Sequence, residues 1–199
     1  MNNGHYTIEE LQNDRNLWTR AKDEALRALN HDQRDVGALL LMGRLMDAID
    51  QRKCGLAYYA RAVAADPKSL AALGACATSY LISSDTRHAE VLFRKALEAS
   101  PGDPHMLNGL GATLTKQKKS VEAKQCFHAA IDRNPHQPQS YYYLAELHLA
   151  EANPQEAAAA VQVGMFQAFR MPDADMIENL RKLDERIQAH QSPRPQPGY

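Results

Sequence analysis

Residues 39–67 read LLLMGRLMDAIDQRKCGLAYYARAVAADP, residues 73–101 read LGACATSYLISSDTRHAEVLFRKALEASP, and residues 107–135 read LNGLGATLTKQKKSVEAKQCFHAAIDRNP. The segments begin 34 positions apart, and each ends on a proline, at Pro67, Pro101 and Pro135. Stepping by 34 keeps returning the same class of residue. Gly43, Ala77, Gly111 and Ala145 form one small column, Gly55, Ala89, Ala123 and Ala157 a second, and Ala62, Ala96, Ala130 and Gly164 a third. Leu39, Leu73, Leu107 and Tyr141 form a large column, as do Met42, Cys76, Leu110 and Leu144, and also Tyr59, Phe93, Phe127 and Val161. A fixed 34-residue period with alternating small and large columns predicts stacked helix-turn-helix units. In each unit, large residues three and four apart put an apolar stripe on the first helix, A. A small column on that stripe lets helix A approach the second helix, B.

The punctuation agrees with the period. Pro67, Pro101 and Pro135 follow helix B, because a residue without an amide hydrogen cannot continue a helix. Pro104 and Pro138 stand at the first turn of a helix A, where that hydrogen is not needed. Asn153-Pro154-Gln155-Glu156 reads as an N-cap, a first-position proline and an acidic first turn. These signals divide the chain into units over 36–69, 70–103, 104–137 and 138–171, and at 199 residues such a stack fits without a second core. Ahead of them, residues 1–35 are expected to form a degenerate capping helix pair. Residues 1–6 read as loose, Thr7 to Glu10 offers a Thr-x-x-Glu capping box, and a second helix is expected from about Leu17 to Asn30. Behind them, residues 172–190 are expected to form an amphipathic capping helix whose apolar face is Ile177, Leu180, Leu183 and Ile187. The tail, 191–199, holds three prolines and no aliphatic residue and is expected to be disordered.

With 23 Lys and Arg against 24 Asp and Glu, the chain lacks the cationic excess of a generic nucleic-acid binder. No run approaches the ~18 apolar residues of a membrane span, and the N-terminus has neither a basic nor an apolar leader region. A cytoplasmic protein without membrane insertion is the expectation. Cys54, Cys76 and Cys126 show no C-x-x-C spacing and read as reduced packing residues. No Walker loop, H-E-x-x-H or G-x-S-x-G occurs, and the eight histidines are scattered. Lys116, Lys118 and Lys119 read as a solvated turn, and His148 as a packed member of a column shared with Met46, Tyr80 and Leu114. No catalytic residue, metal site or cofactor is expected, and the chain is read as not an enzyme.

At its small and large columns the sequence resembles the tetratricopeptide repeat (TPR) family. The resemblance implies an all-α TPR solenoid of antiparallel helix pairs with a C-terminal capping helix, whose A helices line a concave groove for a protein or peptide partner. In the TPR register the groove-facing set includes Leu40, Arg44 and Asp47, then Thr78, Leu81 and Ile82, then Asn108 and Thr115, then Tyr142, Glu146 and Leu149. Leu40, Arg44, Thr78, Leu81, Asn108, Thr115, Tyr142 and Glu146 are the candidate peptide-binding residues. Asn108 offers a two-sided amide to a peptide backbone, and Tyr142 a rigid contact surface. The Lys, Asn and Arg pattern by which some TPR domains grip acidic tails is absent in either register. Gly109-Leu110-Gly111-Ala112, Tyr142 to Glu146, the run Glu156 to Val161 and the helix after Pro172 look like the C-terminal half of class II type III secretion chaperones. That likeness covers about residues 104–190 and implies a hydrophobic secreted protein as partner, and it leaves a homodimer open. The alternative expectation is a scaffold or assembly subunit that works through its outer faces.

Overall fold

The computed structural model describes residues 6–170 and 173–191. Among them are eleven helices and no strand. They are α1 (Ile8–Asn13), α2 (Arg15–His31), α3 (Val36–Ala48), α4 (Arg52–Ala65), α5 (Leu70–Ile82), α6 (Thr86–Ala99), α7 (Pro104–Lys116), α8 (Ser120–Arg133), α9 (Pro138–Ala150), α10 (Pro154–Arg170) and α11 (Ala174–Gln191). The segment expected to be disordered, 191–199, lies outside the described residues except for Gln191 at the end of α11.

Four pairs, α3 with α4, α5 with α6, α7 with α8 and α9 with α10, carry the repeat. Their A helices start alike. Asp35, Ser69 and Asp103 each accept the amide of a first-turn residue, and Pro104 and Pro138 occupy the first helical positions. Their ends are also alike. Asp50, Ser84, Lys118 and Ala152 have φ of 58°, 63°, 62° and 59°, the left-handed region, and they too stand 34 apart. In each case the following amide donates five residues back, Gln51 to Met46 at 2.8 Å, and Asp85 to Tyr80, Lys119 to Leu114 and Asn153 to His148 at 2.9 Å. This six-to-one bond closes helix A and turns the chain into helix B. The four left-handed residues share no side-chain class, so this period is one of backbone and not of composition.

The expected leading pair differs from the others. α1 is only six residues long, because Asp14 starts a new helix by accepting the amides of Asn16 and Leu17 at 2.8 and 3.0 Å. The Thr7 and Glu10 capping box is present, with both reciprocal bonds.

Between Pro101 and Gly102 the chain divides into two compact units. Pro101 cannot continue α6, and Gly102 turns the backbone at φ 89°, a conformation glycine adopts without steric cost. In the first unit, Leu11, Ala21, Ala25, Met42 and Leu45 form one cluster, and the Trp18 indole donates to the Leu45 carbonyl at 3.2 Å. Leu39, Leu40, Tyr59, Ala62, Ala72 and Cys76 form the next, and burial pushes the Cys76 thiol up to about 11. In the second unit, Leu180, Leu183 and Ile187 of α11 pack on Ala157, Ala160, Val161 and Ala168 of α10, so α11 covers the last pair. α7 and α9 are tied by the Asn108 amide, which donates to the Ser140 hydroxyl at 2.9 Å with both residues buried.

These backbone and core constraints can be checked by unfolding. Ala152→Gly should raise the unfolding free energy in urea by about 1 kcal/mol, because it removes a left-handed Cβ penalty that exceeds the gain in unfolded-chain entropy. Ser140→Ala should lower it by about 1–3 kcal/mol, because it leaves a buried amide without an acceptor.

Candidate functional site

In the first unit, α1, α3, α4 and α5 line a half-open cavity of about 310 Å³. Its walls are Ile8 and Gln12 from α1, Asp47 from α3, Arg52 and Tyr59 from α4, and Ala75, Thr78, Ser79 and Ile82 from α5. Ile8 and Ile82 are large apolar side chains left partly in solvent, 39% and 53% exposed. On the polar side, the Tyr59 hydroxyl donates to Asp47 Oδ2 at 2.7 Å. The arrangement depends on two glycines. A Cβ at Gly43 would run into the Tyr59 ring, and a Cβ at Gly55 would lie 2.5 Å from Asp47 Oδ1.

The electrostatics follow from half-burial. Desolvation pushes the Asp47 carboxyl above the usual carboxylate range, against the Tyr59 hydrogen bond and the positive field of Arg52. Burial and the Asp47 carboxylate together raise the Tyr59 phenol, which stays protonated and remains a donor. Arg52 is held by Asp50 at 2.9 Å, and Arg44 donates to the Tyr6 carbonyl at 3.4 Å.

In the second unit, α9 and α11 bring Tyr142, Glu146 and Arg186 together. The Arg186 guanidinium pairs with Glu146, which also accepts from the Tyr142 hydroxyl at 3.4 Å. Burial first, then the Glu146 charge, raises the Tyr142 phenol. Tyr143 stacks on Phe127 at 5.7 Å between ring centroids and meets Tyr142 edge-on at 5.6 Å. Toward the start of α9, the Gln137 amide lies 3.1 Å from His105 Nδ1.

The eight candidate residues therefore fall into two groups. Thr78 is exposed on the cavity wall, and Arg44, Leu81, Thr115, Tyr142 and Glu146 are half-buried. The Thr115 hydroxyl is turned back onto its own helix, to the Gly111 carbonyl at 2.9 Å. Leu40 and Asn108 lie in the cores of their units, 6% and 2% exposed. For Leu40 the reason is the cluster around Tyr59, and for Asn108 it is the bond to Ser140. The Asp47 and Tyr59 pair and Arg186 are absent from that set of eight. Tyr59 carried a signal, a hydroxyl in a column otherwise filled by Phe93, Phe127 and Val161. Arg186 comes from outside the repeats and carried none.

The outer helices also differ. α6 exposes Val91 among Arg87, Arg94 and Lys95, whereas α10 groups Val163, Phe166 and Phe169, 42%, 60% and 65% exposed, with the Arg170 guanidinium 5.7 Å from the Phe166 ring centroid. Among the described residues no helix is long and apolar enough to cross a membrane.

No protein-family model matches the sequence, and no curated protein matches it. Solved structures do match the fold. A thermophilic TPR protein of Thermus thermophilus, TTC0263, superposes with a TM-score of 0.71 at 18% identity, covering 87% of this chain and 90% of that one. MamA of Desulfovibrio magneticus RS-1, from residue 41 to its end, gives 0.63 at 14% identity, covering 79% and 97%. A chain of the APC/C hetero-tetramer Cut9–Hcn1 gives 0.75 at 13% identity, covering 92% of this chain and 36% of that one. At these identities the likeness is one of fold, and the fold is all-α, of the TPR solenoid class.

Proposed function

We propose that the chain is a non-catalytic interaction module that holds a segment of another protein against the A-helix faces of its units. The observation that carries this reading is the cavity at α3 and α5, where exposed apolar arms surround polar groups positioned by two glycines. The TPR class of the fold supports protein partners in general. Within this reading, Arg44, Thr78 and Leu81 are contact residues of the first unit, and Tyr142 and Glu146 of the second. Leu40, Asn108 and Thr115 support those faces from within. The sharpest version is a chaperone for an apolar exported chain, supported by the sequence likeness over residues 104–190.

A second reading, a scaffold working through its outer faces, is favoured by the exposed Val163, Phe166 and Phe169 of α10. Such apolar side chains grouped on one helix face are a common mark of an interaction surface. A photo-crosslinking residue placed in turn at Thr78, Tyr142 and Phe166, in the full chain in host lysate, separates the two. Partner adducts from Thr78 and Tyr142, and none from Phe166, are expected. Adducts from Phe166 alone would replace the first reading by the second.

A further inference from the structure

The first repeat departs from the other three at three positions, and the departures converge on one carboxylate. Asp47 stands where the other repeats have Leu81, Thr115 and Leu149. Tyr59 stands where they have Phe93, Phe127 and Val161, and its added hydroxyl is the group that binds Asp47 Oδ2 at 2.7 Å. Gly55 stands where they have Ala89, Ala123 and Ala157, and the missing methyl is the one that would lie 2.5 Å from Asp47 Oδ1 and 3.1 Å from its Cγ. The neighbouring pair is built instead from Leu81, Phe93 and Ala89, and in the first a Cβ at Gly55 would also lie 3.1 Å from the Gly43 carbonyl oxygen. Together they seat a carboxylate in the cavity with one oxygen fixed by a phenol.

The other oxygen, Oδ1, accepts no hydrogen bond among the described residues, and Asp47 forms no ion pair there. The two nearby cations are engaged elsewhere, Arg52 with Asp50 and Arg44 with the Tyr6 carbonyl. A half-buried carboxylate whose second oxygen accepts no hydrogen bond is best matched by a cationic donor, for which a charge-assisted hydrogen bond is about twice as strong as a neutral one. The same cavity is lined by Ile8, Ala75 and Ile82, which suit an aliphatic stem rather than a bare ion. The volume, about 310 Å³, is at the small end for ligand clefts and suits one long side chain.

We propose that the α3/α5 cavity is an anchor pocket for a lysine or arginine side chain of the partner segment, with Asp47 Oδ1 as its acceptor and Tyr59 and Gly55 as the residues that position Asp47. This rests on the reading of the A-helix faces as the binding surface and gives it a chemistry, a basic residue in an otherwise extended segment. It is opposite in charge to the clamps that grip acidic tails.

Titration of the isotope-labelled full chain with n-butylguanidinium, n-butylammonium and n-butyrate, followed by amide NMR, tests the pocket without any partner. The two cations are expected to shift the amides around Asp47, Gly55, Thr78 and Ile82 saturably, and butyrate is not. Asp47→Asn keeps an acceptor for Tyr59 and should weaken the cations about tenfold or more. Gly55→Ala, which crowds the Asp47 carboxylate and the Gly43 carbonyl without removing the charge, should weaken them as well, and the same spectra show whether each variant is folded. Equal shifts from butyrate, or cation binding unchanged in folded Asp47→Asn, would overturn the proposal. Crosslinking from Thr78 combined with that negative result would retain the interaction module and reject the cationic anchor.

Discussion

Each A helix and its B helix approach closely through a small column, and the rest of the fold depends on that approach; in the first and third pairs it brings an aromatic ring of helix B directly against the backbone of helix A. The Tyr59 ring occupies the space a Cβ at Gly43 would take, and the Phe127 ring does the same at Gly111. Helices this close have only a short turn in which to reverse. The reversal is made by a left-handed residue and a six-to-one hydrogen bond, and both recur every 34 residues. Small side chains at Ala62, Ala96 and Ala130, all fully buried, keep the B helices equally close to what they pack on. The small columns thus act through distance, setting how near two helices come, while the large columns supply the buried area.

The proposed anchor lies where a column is broken. In the first repeat a hydroxyl in the large column holds a single carboxylate, and a glycine in an alanine column leaves room for it. In the second unit Arg186, from outside the repeats, reaches from α11 to Glu146 and so ties the covering helix to the face of α9. Cores of repeat proteins tolerate such substitutions because each pair contacts only its neighbours, and the local cost does not spread.

The helices were largely legible in the sequence, since proline punctuation and columns of Leu, Ala and Phe report burial directly. The turns were not. Asp50, Ser84, Lys118 and Ala152 share a backbone conformation without sharing chemistry, because the hydrogen bond imposes it and residue preference does not. The division at Pro101 and Gly102 was also hidden, as the repeat period runs through it unchanged. At the candidate site, Thr78 and Tyr142 are accessible, yet Asn108 was read as a peptide contact when its amide is committed to Ser140. An amide on a helix face looks the same in sequence whether its partner is a ligand or the next helix. Asp47 was readable as a charge facing the groove, but its hydroxyl partner was read only as core.

The most direct measurement is hydrogen exchange of the full chain, with and without the partner recovered by crosslinking. Binding at the A-helix faces predicts slowed exchange in α3, α5 and α9, strongest near Asp47 and Thr78, with the outer helices α6 and α10 unchanged. Slowed exchange confined to α10 around Val163 to Phe169, with α3 and α5 unchanged, would contradict it.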